Sequence, residues 1–169
     1  MSVTYRTATT ADAEALAKLG AHTFTDTFGH LYDPADLALF LRNHTTESWA
    51  HELADPAYAV RVAELDGELV GYAKLGPPKL PFEPRGEAAE LRQLYVLEAM
   101  KGQGVAHALM HWAIDRARNS RADYLYLSVF TDNHRARRFY EKLGFEAEGT
   151  YAFMVGTHAD EDIVMRLKL

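Results

Sequence analysis

The apolar positions of this chain switch between a two-residue and a 3.6-residue period, and the switches divide it into elements. Residues 2–8 (SVTYRTA) alternate and predict an edge strand. Thr9 and Thr10 follow, with Asp12 three residues after Thr9, the spacing of a capping-box helix start. Leu16, Gly20, Phe24 and Thr27 then share one helical face. Asp33-Pro34 is a second start signal, a capping carboxylate followed by proline at the first helical position. It opens residues 34–54, read as one broken helix or two short ones, with Thr45 and Thr46 able to restart it. Residues 57–65 and 68–75 flank Asp66-Gly67, a strong hairpin turn signal. Residues 76–86 carry Pro77, Pro78, Pro81 and Pro84 and read as a loop. A strand is expected over 87–97, a helix over 103–119, a strand over 123–130 and a short helix over 134–143. Gly144 stands where a helix C-terminal glycine belongs. Two strands, 145–154 and 162–169, complete a mixed α/β pattern with helices inserted into a largely antiparallel sheet.

Composition narrows the chemistry. The chain has 169 residues without repeat or linker, so one domain over 1–169 is expected. Its net charge of −6 does not suit a binder of nucleic acid or of anionic membrane, and it leaves room for a cationic small molecule. Cysteine is absent, which excludes disulfides, cysteine zinc sites and a cysteine acyl-enzyme. No signal-peptide pattern opens the chain and no apolar run approaches ~18 residues, so a cytoplasmic protein is expected. Homodimer formation is compatible with the sequence and not required by it.

Two local features carry chemistry. Leu94-Tyr95-Val96 runs into Lys101-Gly102-Gln103-Gly104-Val105-Ala106, a strand leading through a glycine turn into a helix. Helix-start N–H groups have no internal partners and carry partial positive charge, and glycines let a ligand approach the backbone, which suits a phosphate. The turn is neither a P-loop nor a dinucleotide fingerprint. In the second feature, Asn133 precedes a helix on which Ala136, Phe139, Tyr140 and Leu143 share one face. Phe139 and Leu143 read as core. The Tyr140 hydroxyl needs a partner even where its ring packs.

Together, in this order and with a strand between them, the two features resemble the GNAT superfamily of acyl-CoA-dependent N-acetyltransferases. The turn matches that family's phosphate-cradle pattern at Gly104 and Ala106, with Lys101 where arginine or glutamine is usual. Asn133, Ala136 and Tyr140 match its second cofactor motif. Phe24-Thr25-Asp26-Thr27-Phe28, Phe153-Met154-Val155-Gly156 and Asp162-Ile163-Val164-Met165 look like the bacterial spermidine/spermine N-acetyltransferases. The resemblance implies a mixed, largely antiparallel sheet of six to seven strands with about four helices. It also implies a splay between the strands at 87–97 and 123–130, with acetyl-CoA in the gap.

The same resemblance assigns roles. Backbone groups of Leu94, Tyr95 and Val96 would pair with the pantetheine arm, and the Val96 N–H would hold the oxyanion. Amides from Gly102, Gln103, Gly104, Val105, Ala106 and His107 would hold the pyrophosphate, with Lys101 as a point charge. Asn133 and Ala136 would meet the pantetheine, and Arg138 or Lys142 the phosphates. Tyr140, a phenol that keeps its proton at pH 7, would protonate the departing thiolate. Polyamine-acetylating relatives often carry a carboxylate base four residues before the strand valine; here that position is Arg92, and Glu90, two residues earlier and expected on the same strand face, is the nearest carboxylate. Phe28, Tyr32, Tyr151 and Phe153 would line the acceptor pocket, whereas Phe24 reads as core.

Other candidates resolve to blander readings. His107 and His111 have metal-ligand spacing but no evident third ligand, so no metal is expected. Arg135, Arg137 and Arg138 read as a solvated helix face or as contacts to CoA phosphates. No serine sits in a G-x-S-x-G elbow, which with the missing cysteine favours direct attack on the thioester. The expected activity is acetyl transfer to a primary amine of a small acceptor, polyamines first. The alternatives are a protein or peptide amine acetyltransferase and a non-catalytic acyl-CoA-binding sensor.

Overall fold

The computed structural model describes residues 2–42 and 44–169, and of Tyr151 the backbone. The strands are β1 (Thr4–Thr7), β2 (Ala59–Leu65), β3 (Glu68–Gly76), β4 (Ala88–Val96), β5 (Tyr124–Phe130), β6 (Glu146–Val155) and β7 (His158–Lys168). The helices are α1 (Ala13–Phe28), α2 (Pro34–Leu41), α3 (Thr46–Ala54), α4 (Val105–Asn119) and α5 (His134–Lys142). The seven strands form one sheet in the order β1-β2-β3-β4-β5-β7-β6, antiparallel except for the β4–β5 pair. The expected mixed, open architecture is therefore present.

Period-two alternation on the strands feeds two separate cores. On β2, Val60 and Val62 pack with Leu16, Trp49 and Tyr72 under α1 and α3. Their neighbour Ala63 faces the other way, with Leu109, Met110, Leu125 and Leu127 under α4. The start of α1 is anchored by charge: Asp12 accepts from the Thr9 N–H at 2.8 Å and from the Arg6 guanidinium of β1 at 2.7 and 2.8 Å. Those bonds hold the Asp12 carboxyl below the usual carboxylate range.

Three boundaries sharpen the sequence expectations. Residues 34–54 form two helices, and the second is capped by the Thr45 hydroxyl accepting from the Ser48 N–H at 3.1 Å. Asp66 and Gly67 take positive φ of 54° and 82°, as a primed hairpin turn requires. The last strand begins at His158, four residues earlier than the expected 162. His158, Asp160 and Glu161 hid that strand, because charged residues are poor strand signals.

The β6–β7 turn is docked onto α2. Asp36 accepts from both the N–H and the hydroxyl of Thr157 at 2.8 Å. Gly156 has φ +60°, and a Cβ built there would lie 2.5 Å from the Asp36 Cα. Gly156→Ala therefore meets both backbone strain and a backbone clash, and should lower the denaturant midpoint by an amount equivalent to about 1–3 kcal/mol. Gly67→Ala, at φ +82° with nothing within 4 Å, should cost less because only the strain remains.

Candidate functional site

The parallel β4–β5 ladder holds for three residue pairs: Ala88↔Tyr124, Ala89↔Leu125 and Glu90↔Tyr126. Beyond them the strands part. The separation starts where β4 carries a bulge: Lys74 faces Gln93 and Leu75 faces Leu91, so Arg92 is the extra residue. Such an insertion bends and twists its strand. Between the parted strands lies a cavity of about 520 Å³, lined from β4 by Leu94, Tyr95 and Val96 and from β5 by Leu127, Ser128 and Val129. The Leu97 N–H donates to Val70 on β3 at 2.9 Å. Amide direction alternates along a strand, so the backbone groups of Leu94 and Val96 turn to the gap.

At the end of β4 the chain reaches α4 through a left-handed turn. Gly102 and Gly104 both have φ +82°, and nothing lies within 4 Å of a Cβ built at either. Backbone conformation, not crowding, requires glycine there. The first bond into α4 runs from the Ala108 N–H to Gly104 at 3.0 Å. The N–H groups of Val105, Ala106 and His107 therefore lack a partner within the helix. Lys101, Gly102, Gly104, Val105, Ala106 and His107 all line the cavity. Lys101 is ion-paired with Glu98 at 2.8 Å. Gln103 is not among the lining residues, and its side chain donates to the Ala99 carbonyl at 3.2 Å.

The start of α5 faces the same space with Asn133, Arg135, Ala136, Phe139 and Tyr140. Asn133 also caps the helix, accepting from the Ala136 N–H at 3.3 Å. Lys142 and Arg138 are not among the lining residues; Arg135 holds the cationic position instead. The cavity meets the first two turns of α5, and Lys142 lies beyond them. Tyr140 is buried against Phe139 and Phe145, with ring centroids 5.4 and 5.7 Å away. Burial pushes its hydroxyl above the ordinary phenol range, so near neutral pH Tyr140 is a proton donor.

The far end of the cavity is aromatic and acidic. Phe24, Phe28, Tyr32 and Phe153 line it with Asp160 and Asp162. Phe24 is also buried, stacked on Phe40 at 4.3 Å, so its core and pocket roles coincide. Tyr151 pairs with Asp162 across the β6–β7 ladder, and its side chain lies outside the described residues. The Tyr32 hydroxyl donates to Asp160, and His158 Nε2 lies 3.0 Å from the other Asp160 oxygen. Burial, with the nearby Asp160 charge adding to it, pushes the Asp162 carboxyl up to about 7. Neither aspartate was a sequence candidate. The signal was available, since extending the last strand back to 158 puts residues 160 and 162 on one face.

Glu90 is placed differently from expectation. The Arg92 bulge shifts the alternation, so Glu90 does not share a strand face with Leu94 and Val96. It is buried outside the cavity lining and accepts from the Lys79 N–H at 2.7 Å. Arg92 does line the cavity, with its guanidinium 3.6 Å from Glu90 and donating to the Pro77 carbonyl at 3.2 Å. His107 and His111 stack along α4 at 6.5 Å, and His107 packs on Phe139. Among the described residues no group of three His, Asp or Glu side chains could hold a metal ion. No helix among them is long and apolar enough to cross a membrane.

Comparison with known proteins places the chain among acetyltransferases. A family model described as the acetyltransferase (GNAT) family matches residues 19–145. An uncharacterized N-acetyltransferase of Mycobacterium tuberculosis (strain ATCC 25618 / H37Rv) is 38% identical over 155 residues, covering 91% of this chain and 96% of that one. An L-amino acid N-acetyltransferase of Escherichia coli (strain K12) is 37% identical over 125 residues, covering 71% and 75%. Among solved structures, a ribosomal-protein-alanine N-acetyltransferase from Brucella melitensis aligns with TM-score 0.74 at 27% identity, covering 98% and 99%. The PaiA N-acetyltransferase of Thermoplasma acidophilum, solved with coenzyme A, shares the fold with TM-score 0.80 at 20% identity over both whole chains.

The Asp162 environment has a stability consequence. Its folded value of about 7 lies above the ordinary carboxylate value of about 4. Between those values the folded chain keeps a proton that the unfolded chain has lost, so stability falls as pH rises through the window. Asp162→Asn removes that loss. The variant should melt several degrees above wild type at pH 8, where about 2–4 °C corresponds to 1 kcal/mol. The difference should shrink towards pH 4. An equal offset at both pH values would contradict the assignment.

Proposed function

The chain belongs to the acetyltransferase (GNAT) family and is an acetyl-CoA-dependent N-acetyltransferase, and from that premise we propose that it acetylates a primary amine of a small cationic acceptor, polyamines first, by direct attack on the thioester. The observation that carries the acceptor class is the pair Asp160 and Asp162 at the aromatic end of the cavity. Carboxylates hold an ammonium by charge, and aromatic faces accept cations and alkyl chains. The −6 net charge favours approach of the same ligand. The single N-acetyltransferase domain of this reading spans residues 1–169.

The donor set suits acetyl-CoA. Free amides at the start of α4, the positive end of its dipole and the Lys101 and Arg135 side chains match a pyrophosphate in charge and direction. The cavity-facing edge at Leu94 and Val96 matches the pantetheine amides. Asn133 offers its remaining side-chain capacity to the same arm. When bound, acetyl-CoA supplies an acetyl thioester that an amine can attack. Val96 N–H is aimed to stabilise the oxygen that gains charge during attack. Tyr140 holds a proton for the departing sulfur. Its buried setting keeps that proton in place at working pH.

A second acceptor class has its own support. Arg92 lines the cavity, and its guanidinium could hold a carboxylate, so the α-amine of an amino acid also fits. The E. coli relative's name specifies L-amino acids.

Thiol release from acetyl-CoA across spermidine, putrescine, L-amino acids and an alanine-initiated peptide separates these readings. Spermidine or putrescine should give the highest kcat/KM. Preference for an L-amino acid would replace the acceptor class and leave the transferase reading intact. Acetyl-CoA binding without thiol release for any amine would favour the sensor. Tyr140→Phe should lower kcat by roughly 10²-fold or more while acetyl-CoA affinity changes little. Unchanged turnover would remove Tyr140 from the mechanism.

A further inference from the structure

We propose that Asp162 on β7 is the general base of the acetyl transfer, and that Asp160, clamped by Tyr32 and His158, is its positioning residue. This rests on the transferase reading and supplies the step that the sequence left open. Relatives' usual base position is Arg92 here, and Glu90 lies outside the cavity lining. A guanidinium is a donor with no acceptor atom, so Arg92 cannot serve as the base. The acceptor end has two other carboxylates.

The register puts Asp162 at the right level. It pairs with Phe130, the last residue of β5, well past Tyr126 where β5 parts from β4. Asp162 therefore stands beside the open part of the gap and lines the same cavity as Val96 and Tyr140. The two aspartates are not equivalent. Asp160 uses one oxygen for the Tyr32 hydroxyl and the other for His158. Among the described residues no side chain hydrogen-bonds Asp162. Asp160 is held on both oxygens, whereas Asp162 lines the cavity with no such clamp among the described residues.

Electrostatics fits the division of labour. The titratable groups within electrostatic reach of Asp162 are Asp160, two residues away on β7 with His158 beside it, Tyr32 after α1 and Tyr95 on β4; Arg92 and Tyr140 line the same cavity. Burial and the fixed Asp160 charge raise the proton affinity of Asp162 to the neutral range. A base with a value near the working pH is ionised often enough to act and basic enough to take a proton.

The acceptor nitrogen enters as an ammonium and leaves as an amide with one N–H, so it loses two protons. One goes to solvent as the amine reaches the site. The other passes to Asp162 as nitrogen forms its bond to the carbonyl carbon. The C–S bond then breaks with its electron pair on sulfur, and Tyr140 protonates that sulfur. Asp162 returns its proton to solvent and Tyr140 regains one. Each turnover yields the amide, CoA as thiol and one proton.

The test is a pH profile of kcat/KM by thiol release, with spermidine and with L-phenylalanine as amines, alongside calorimetric binding of acetyl-CoA. In the wild type the profile should change slope near pH 7. Asp162→Asn should lower kcat by roughly 10²-fold or more, abolish that break and leave acetyl-CoA binding intact. Asp162→Glu should recover part of the rate. Asp160→Asn removes the neighbouring negative charge, eases ionisation of Asp162 and should move the break to lower pH. A purely structural role would lower activity without moving the break. An active wild type whose Asp162→Asn variant keeps its rate and its break overturns the base and spares the transferase reading. A wild type that binds acetyl-CoA but releases no thiol with either amine overturns both.

Discussion

The separation of β4 from β5 is the constraint on which the rest of this site depends. Three parallel pairs hold the two strands together, and then the Arg92 bulge bends β4 away. A sheet interior normally has no free backbone groups, because each N–H and C=O is paired in a ladder. Here the parted edges leave such groups facing a cavity, so the sheet itself becomes a binding surface. The turn at Gly102–Gly104 sits at the end of the same strand, and α5 closes the gap from the side. A ligand that is part amide chain and part pyrophosphate finds both kinds of partner within one continuous cavity.

The acceptor end is built by a different part of the chain. Phe24, Phe28 and Tyr32 come from α1 and the turn after it, whereas Phe153, Asp160 and Asp162 come from the β6–β7 hairpin. Asp36 ties the tip of that hairpin to α2 through Thr157. The Tyr32 hydroxyl ties the turn after α1 to Asp160. These two polar links connect the helical layer to the hairpin near the acceptor end. Burying two carboxylates there works against stability, and a buried like-charge pair is often a mark of function.

Much of this was legible in the sequence because it depends on local chemistry. The Asp66-Gly67 hairpin, the Thr45 cap, the left-handed glycines before α4 and the Asn133 cap each follow from the conformations their own residues allow. The cofactor motifs were legible for the same reason, since most of their donors are backbone groups of adjacent residues. The base was not. The bulge at Arg92 breaks the count by twos that joins Glu90 to Val96, and Glu90 pairs with Tyr126 in the closed part of the β4–β5 ladder, outside the cavity lining. The positions of Lys142 and Arg135 on α5 were likewise undecided, because helical spacing gives a face but not which turn meets the cavity.

The sequence by itself determined the element order, the glycine turn, the Asn133–Tyr140 helix and a cysteine-free chemistry. Periodicity, capping and left-handed backbone are written within a few residues of where they act. Only the tertiary structure decided that Asp160 and Asp162 line one cavity with Val96, that Tyr32 reaches Asp160, and that Glu90 lies outside that lining. Those facts depend on strand register and on contacts between residues more than a hundred positions apart, such as Tyr32 and Asp160. Register is set by the packing of the whole sheet, and no short stretch of the chain encodes it.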